Sequence, residues 1–175
     1  WNQGSPYNDE CPMYFTLGRS VTGCVATAMA QVLYYQRAKS VTEVQADIPG
    51  YTGWTAHESY GNLVVEGIEA GSPIDWDNML DSYGSGASAK QKKAVAQLMH
   101  YCGVAVHMDY TNSASGAQSS EVPTAFQKYF GYGSKTRIVY QTSYSDEAWD
   151  NLLYNELAQG RPFYLSGYNS DGGHA

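Results

Sequence analysis

The sequence predicts an α+β domain. Three observations carry this: an early apolar run fits one buried helix, later stretches show helical spacing with legible caps, and short β-rich segments multiply towards the end. At 175 residues, with 43% hydrophobic and only 15% charged residues, the chain is long and apolar enough to bury a core, which excludes a disordered polypeptide. Residues 1–175 read as a single domain without internal repeat, and we expect it to be incomplete at both ends. Trp1 is not an initiator Met, and the last strand pattern ends one residue after His174 with no partner strand in sight.

Taken in order, the first twenty residues carry Gly4, Pro6, Asn8 and Pro12 and read as irregular and extended. Cys24 to Tyr35 follows, apolar nearly all round through Val25, Ala26, Ala28, Met29, Val32 and Leu33, the signature of a central helix. Thr22 is the expected N-cap, which puts Cys24 in the first turn. Residues 45–87 are cut by Gly50, Gly53, Gly61, Gly67, Gly71 and Pro73 into loops and brief strands. At Ser88 and Gln91 the spacing of a capping box opens a helix, with Val95, Leu98, Met99 and Cys102 on its buried face. Gly103 is expected to close it in a left-handed conformation, and Val104 to Met108 to follow as a strand.

The small polar stretch 111–120 predicts a mobile surface loop. Val122, Phe126, Tyr129 and Phe130 then share a helical face up to Gly131, and Ile138 to Tyr140 reads as a strand. Ser145 caps a further helix, with Trp149, Leu152, Leu153 and Leu157 expected inside and Gly160 at its end. Pro162 to Tyr168 is expected as a strand leading into Asp171-Gly172-Gly173-His174.

Charge removes some functions. The net charge is −7 and the ten basic residues are scattered, Lys90, Lys92 and Lys93 forming a solvated helix start, so nucleic acid is not an expected partner. No apolar run approaches the roughly 20 residues that span a bilayer. The three cysteines, Cys11, Cys24 and Cys102, lack zinc-site spacing, and no metal or other cofactor is expected. Asp75, Asp77, Asp81 and Asp109 lack the pattern of a calcium loop and read as a solvated face.

An odd number of cysteines leaves at least one free thiol. Cys24, behind Gly23 at a helix start, is a candidate nucleophile, because a helix N-terminus favours the thiolate. By itself it reads equally as a buried structural Cys. His174, at the end of a strand and behind two glycines, is a candidate base; alone, it is also a surface His in a Gly turn. The Gln3 amide could donate to an oxyanion. Cys11 and Cys102 read as structural, and His57, His100 and His107 have no distinguishing context.

Four segments together resemble a known family. Trp1-Asn2-Gln3-Gly4-Ser5-Pro6-Tyr7-Asn8, Thr22-Gly23-Cys24-Val25-Ala26-Thr27-Ala28-Met29-Ala30-Gln31, Met108-Asp109-Tyr110 with its Ser/Gly loop, and Gly172-Gly173-His174-Ala175 resemble the streptopain family of papain-like bacterial cysteine peptidases, in that family's order and across the whole chain. The resemblance implies a papain-like fold, with a helical subdomain carrying the Cys helix and an antiparallel β subdomain carrying the His. It implies Cys24 as nucleophile, His174 as general base and acid, and Gln3 as oxyanion donor, with the Gly173 backbone and the loop around Gly116 lining the substrate cleft. It further implies an exported bacterial zymogen and virulence factor, inhibited by its own N-terminal pro-domain and acting on proteins or peptides with an apolar residue at P2. Some relatives carry Ser at the position of Gly116. An Asn-Trp-Gly-Trp-Gly-Gly stretch, which orients the imidazole, is expected beyond Ala175. Two other readings use the same residues or the same composition: a different Cys–His acyl-transfer enzyme, and a Tyr-rich adhesin or glycan-binding module.

Overall fold

Two helices cross at the centre of the molecule and explain most of the rest. The computed structural model describes residues 1–170 and 172–175. Helix α1 spans Cys24–Tyr35 and α2 spans Ala89–Ala105; the two are in contact, and Val25, Ala26, Met29, Leu33, Val95, Leu98 and Met99 belong to one core, all nearly inaccessible to solvent. The α2 start is the expected capping box: the Gln91 N–H donates to Ser88 Oγ at 3.3 Å, and the Ser88 N–H donates to Gln91 Oε1 at 2.8 Å.

Its other end differs from expectation. Gly103 lies inside α2, which runs on to Ala105, and the left-handed residue is His107 at φ 51°. The Met108 N–H returns to the Gly103 carbonyl at 3.0 Å. Gly103 is needed for space instead, since a Cβ there would lie 2.0 Å from Tyr110 Oη. Val104–Met108 is accordingly the last helical turn and a reversal. The apolar run that suggested a strand reflects burial, and Val104, Val106 and Met108 are all buried as that run requires.

The segment 45–87 holds one hairpin, β1 Tyr51–His57 and β2 Gly61–Val65, antiparallel with a break in register between Thr52 and Ala56. At that break the Thr55 N–H donates to Asp109 Oδ1 at 3.2 Å, so a side chain replaces the missing ladder partner. Asp109 is therefore no part of a solvated face: only 7% of it is exposed.

Helix α3, Val122–Tyr129, buries Val122, Ala125, Phe126 and Tyr129, with Phe130 beyond it. Helix α4, Asp146–Ala158, has the expected Ser145 cap, the Ala148 N–H donating to its Oγ at 3.2 Å. None of its residues is buried, however. Trp149, Leu152 and Leu153 are half-covered and Leu157 is 58% exposed, because among the described residues no second layer packs over this face.

Ile138–Tyr140 is not a strand, and the strand expected from Pro162 shrinks to β3, Gly167–Asn169. β3 pairs antiparallel with β4, Gly172–His174, in the register Gly167↔His174 and Asn169↔Gly172. A strand exists only by pairing, and β-prone residues without a partner stay irregular. Asp171, in the turn expected before Gly172, lies outside the described residues. Among the described residues, no helix is long and apolar enough to cross a membrane.

Candidate active site

The three thiols are free and differ sharply in access. Cys11 is fully buried, and burial pushes its thiol up to about 12 despite the Tyr110 hydroxyl and the Arg19 guanidinium beside it. Cys102 is buried on α2 and likewise held protonated by burial. Cys24 is only half-buried. It is the first residue of α1, where backbone N–H groups have no partner within the helix and the dipole favours a negative charge. Of the three, it alone is accessible, and it alone stands at a helix start.

The chain enters α1 through Gly23 rather than through a Thr22 cap. Gly23 is the N-cap at φ 81° and ψ 145°, a conformation that side-chain-bearing residues rarely adopt. Space demands glycine as well: a Cβ would lie 2.6 Å from Met108 Sδ and 3.0 Å from the Ser115 carbonyl. The sharp turn sends Thr22 beneath the helix, where its hydroxyl shares a 2.8 Å hydrogen bond with Thr27 Oγ1 and cannot serve the helix start.

The residues before Cys24 are strapped on two sides. On one, the Thr22 N–H donates to the Gln3 carbonyl at 3.1 Å, which draws the N-terminal segment alongside. On the other, the Val21 N–H donates to the Thr111 carbonyl at 3.0 Å, and Ser115 Oγ donates to the Val21 carbonyl at 2.7 Å. Asp109 and Gly116 exchange backbone hydrogen bonds of 2.8 and 3.2 Å. The stretch 111–116, expected to be mobile, is thus folded on itself and against the Cys24 entry, with Thr111 Oγ1 accepting from the Ala114 N–H at 2.9 Å and Ser115 only 8% exposed. Small polar residues serve here because their side chains satisfy nearby backbone groups. Gln3 and Gly116 therefore both belong to the surroundings of Cys24.

Gly173 and His174 sit on β4, on the far side of the sequence, and both are exposed. They face an open groove along the hairpin, lined also by Gly167, Tyr168, Asn169 and Gly172. Among the described residues, no hydrogen bond joins the His174 ring to the Cys24 sulfur. The hairpin is attached to the body on either side, by Tyr164 and by Ala175, which pack against the core. Tyr164 Oη shares a 2.7 Å hydrogen bond with Ser119 Oγ. Neither Tyr164 nor Ser119 stands out in the sequence: one lies in an apolar run, the other in a run of small polar residues, and their pairing exists only in three dimensions.

The remaining histidines lie elsewhere. His57 is surrounded by Tyr14, Phe15 and Tyr60, His107 lies 3.9 Å from Glu121, and His100 has its Nδ1 enclosed without a partner.

Comparison with known proteins places this arrangement. The model of the Peptidase C10 family matches residues 1–175. Streptopain from Streptococcus pyogenes serotype M28 is 32% identical over the full length of this chain, which covers 46% of that protein. Among solved structures, the active wild-type interpain A cysteine protease of Prevotella intermedia superposes with a TM-score of 0.84 at 32% identity, over 99% of this chain and 71% of the other. A prointerpain A fragment from the same organism gives 0.81 at 33% identity, over 99% of this chain and 53% of the other. The chain thus spans about half the length of the curated relatives it matches. The observed arrangement, with helices around Cys24 and an antiparallel hairpin carrying His174, is the α+β fold of papain-like peptidases.

Proposed function

Because the chain belongs to the Peptidase C10 family, we propose that it is the catalytic part of a cysteine endopeptidase, with Cys24 as nucleophile and His174 as its base. The observation that carries this is the contrast among the thiols: Cys24 is reachable at a helix start, while Cys11 and Cys102 are sealed in the core.

In this reading, the Cys24 thiolate, paired with the His174 imidazolium, attacks the scissile carbonyl of a bound peptide. The carbonyl π electrons move to oxygen, and the Gln3 side-chain amide and the Cys24 N–H hold the oxyanion. As the C–N bond breaks, His174 gives its proton to the leaving amine, and a thioester remains on Cys24. Neutral His174 then takes a proton from water, whose hydroxide attacks the thioester and releases the acid, restoring the thiolate–imidazolium pair. The Gly116 loop and the Gly173 backbone form the walls along which the substrate chain lies. The strapping of residues 21–23 to Gln3 and to Thr111–Gly116 supports these roles, because it holds nucleophile, oxyanion donor and cleft wall in one rigid group.

The substrates are proteins or peptides, and no cofactor takes part. Residues 1–175 act as one peptidase domain, and the whole protein adds an N-terminal pro-domain as intramolecular inhibitor and further strands after the His. The prointerpain A relative supports the first addition. A bacterial protein of this kind is secreted or held at the cell surface, as a zymogen.

The test uses the whole protein, expressed from its complete gene because residues 1–175 alone are not expected to be active, with limiting epoxysuccinyl inhibitor at pH 6 and mass spectrometry to find the adduct. Stoichiometric labelling of Cys24, with Cys11 and Cys102 untouched, is the expected result, and Cys24→Ala abolishes turnover of a peptide substrate. Retained activity in Cys24→Ala, or slow labelling spread over all three thiols, sinks the reading.

A further inference from the structure

The hairpin that carries His174 lies at the surface of the molecule. Both of its strands are exposed at every residue. Among the described residues beyond Tyr132, the hydrophobic side chains packed against the core are those of Tyr164, before the hairpin, and Ala175, after it. Ala175 offers a methyl group and no direction. Tyr164 offers a ring and a polar tip, and the tip is used: its hydroxyl and Ser119 Oγ lie 2.7 Å apart.

The place of Ser119 matters. It opens the short 3-10 turn Ser119–Glu121 that leads into α3, shortly after the loop holding Gly116. One phenol therefore joins the arm bearing His174 to the segment that follows the Gly116 loop, the loop that is itself strapped to the Cys24 entry through Val21. Burial, with Cys24 adding to it, raises the phenol above its ordinary range, so at working pH it is a neutral, fixed hydrogen-bonding group rather than a charge.

We propose that Tyr164 is a positioning residue for the Cys24–His174 pair, its hydrogen bond to Ser119 clasping the His174 hairpin to the Cys24 side of the molecule. The inference rests on the peptidase reading above. A base carried on a surface hairpin meets its nucleophile productively only while its approach is fixed. Misplacement by about 1 Å costs on the order of 100-fold in rate. The ring alone fills the half-buried position, and the hydroxyl adds the direction. Removing that hydroxyl thus leaves packing in place and opens the clasp.

The experiment compares the whole protein, expressed from its complete gene, with its Tyr164→Phe, Ser119→Ala and double variants, with Tyr154→Phe, 70% exposed on α4, as control. Peptide hydrolysis gives kcat and KM, iodoacetamide alkylation of Cys24 across pH reports thiolate formation without substrate, and thermal unfolding reports the fold. Tyr164→Phe and Ser119→Ala each lower kcat by about 10- to 100-fold with KM nearly constant. Alkylation of Cys24 at pH 6 slows by about the same factor as kcat. The double variant is no worse than either single one, since both remove the same bond.

Unchanged kcat in both single variants, losses that multiply in the double, or a lowered thermal midpoint with an unmoved alkylation profile each overturn the clasp. If the unaltered chain neither cleaves peptide nor alkylates rapidly at pH 6, the peptidase reading fails and the clasp with it. If the unaltered chain does both and Tyr164→Phe matches it, the clasp alone fails.

Discussion

Replacing Gly103 with alanine sets two effects against each other. Gly103 lies in the last part of α2, and in a helix interior alanine is favoured over glycine by about 1 kcal/mol. From helix propensity alone the variant gains stability. The structure opposes this: the new methyl carbon would lie 2.0 Å from Tyr110 Oη and 2.9 Å from its Cζ. Tyr110 is 1% exposed and cannot swing aside into solvent, and its hydroxyl is enclosed with the Cys11 thiol as its neighbour. Overpacking of a fixed core costs typically 1–3 kcal/mol, and a contact this short belongs at the upper end, so the net loss is about 2 kcal/mol. Urea unfolding followed by fluorescence measures it. Tyr110→Phe provides the internal control: it removes the atom in hardest contact, and in that background Gly103→Ala costs less than half as much. Gly103→Ala that is neutral or stabilising, or a cost unaltered by Tyr110→Phe, would refute the assignment of Gly103 to close packing.

Two further outcomes follow from the same reasoning. Gly23→Ala meets both a positive φ and a contact of 2.6 Å with Met108 Sδ, so it is expected to lose about 2–4 kcal/mol and at least about 100-fold in peptide hydrolysis; equal activity and melting temperature count against the role of the turn in setting Cys24. His100 ought to make the fold acid-sensitive: burial lowers its pKa to about 4 from 6.5, its Nδ1 has no partner, and its ring neighbours those of Tyr101 and Tyr110. Between those two values the unfolded chain binds a proton that the folded chain refuses, so this stability is fully present above pH 6.5 and lost as pH falls to about 4, by up to about 3 kcal/mol. Urea midpoints of the wild type and His100→Phe at pH 7, 5 and 4 give the difference, and parallel pH slopes mean that His100 is not the source.

Much of the architecture was legible in the sequence. The span of α1, the Ser88 and Ser145 caps and the buried face of α3 follow from local rules, since a helix satisfies its own backbone and its signals lie within a few residues. Cys24 was legible as a candidate for the same reason. Strands were not, because a strand is defined by a partner that the sequence does not name: Ile138–Tyr140 and Pro162–Ser166 have β-prone residues and no ladder. The 111–116 loop gave a misleading signal, its small polar residues suiting solvent and self-bonding equally.

By itself, then, the sequence determined the helices, the cysteine at the head of one of them and the four segments that resemble a peptidase family, all properties of neighbours along the chain. The tertiary structure decided why Gly23 and Gly103 are glycines, why Asp109 is buried beside Thr55, and how Tyr164 reaches Ser119. Each of these depends on atoms from distant segments excluding one another or satisfying one another at a few ångströms, and that distance is set only when the whole core closes.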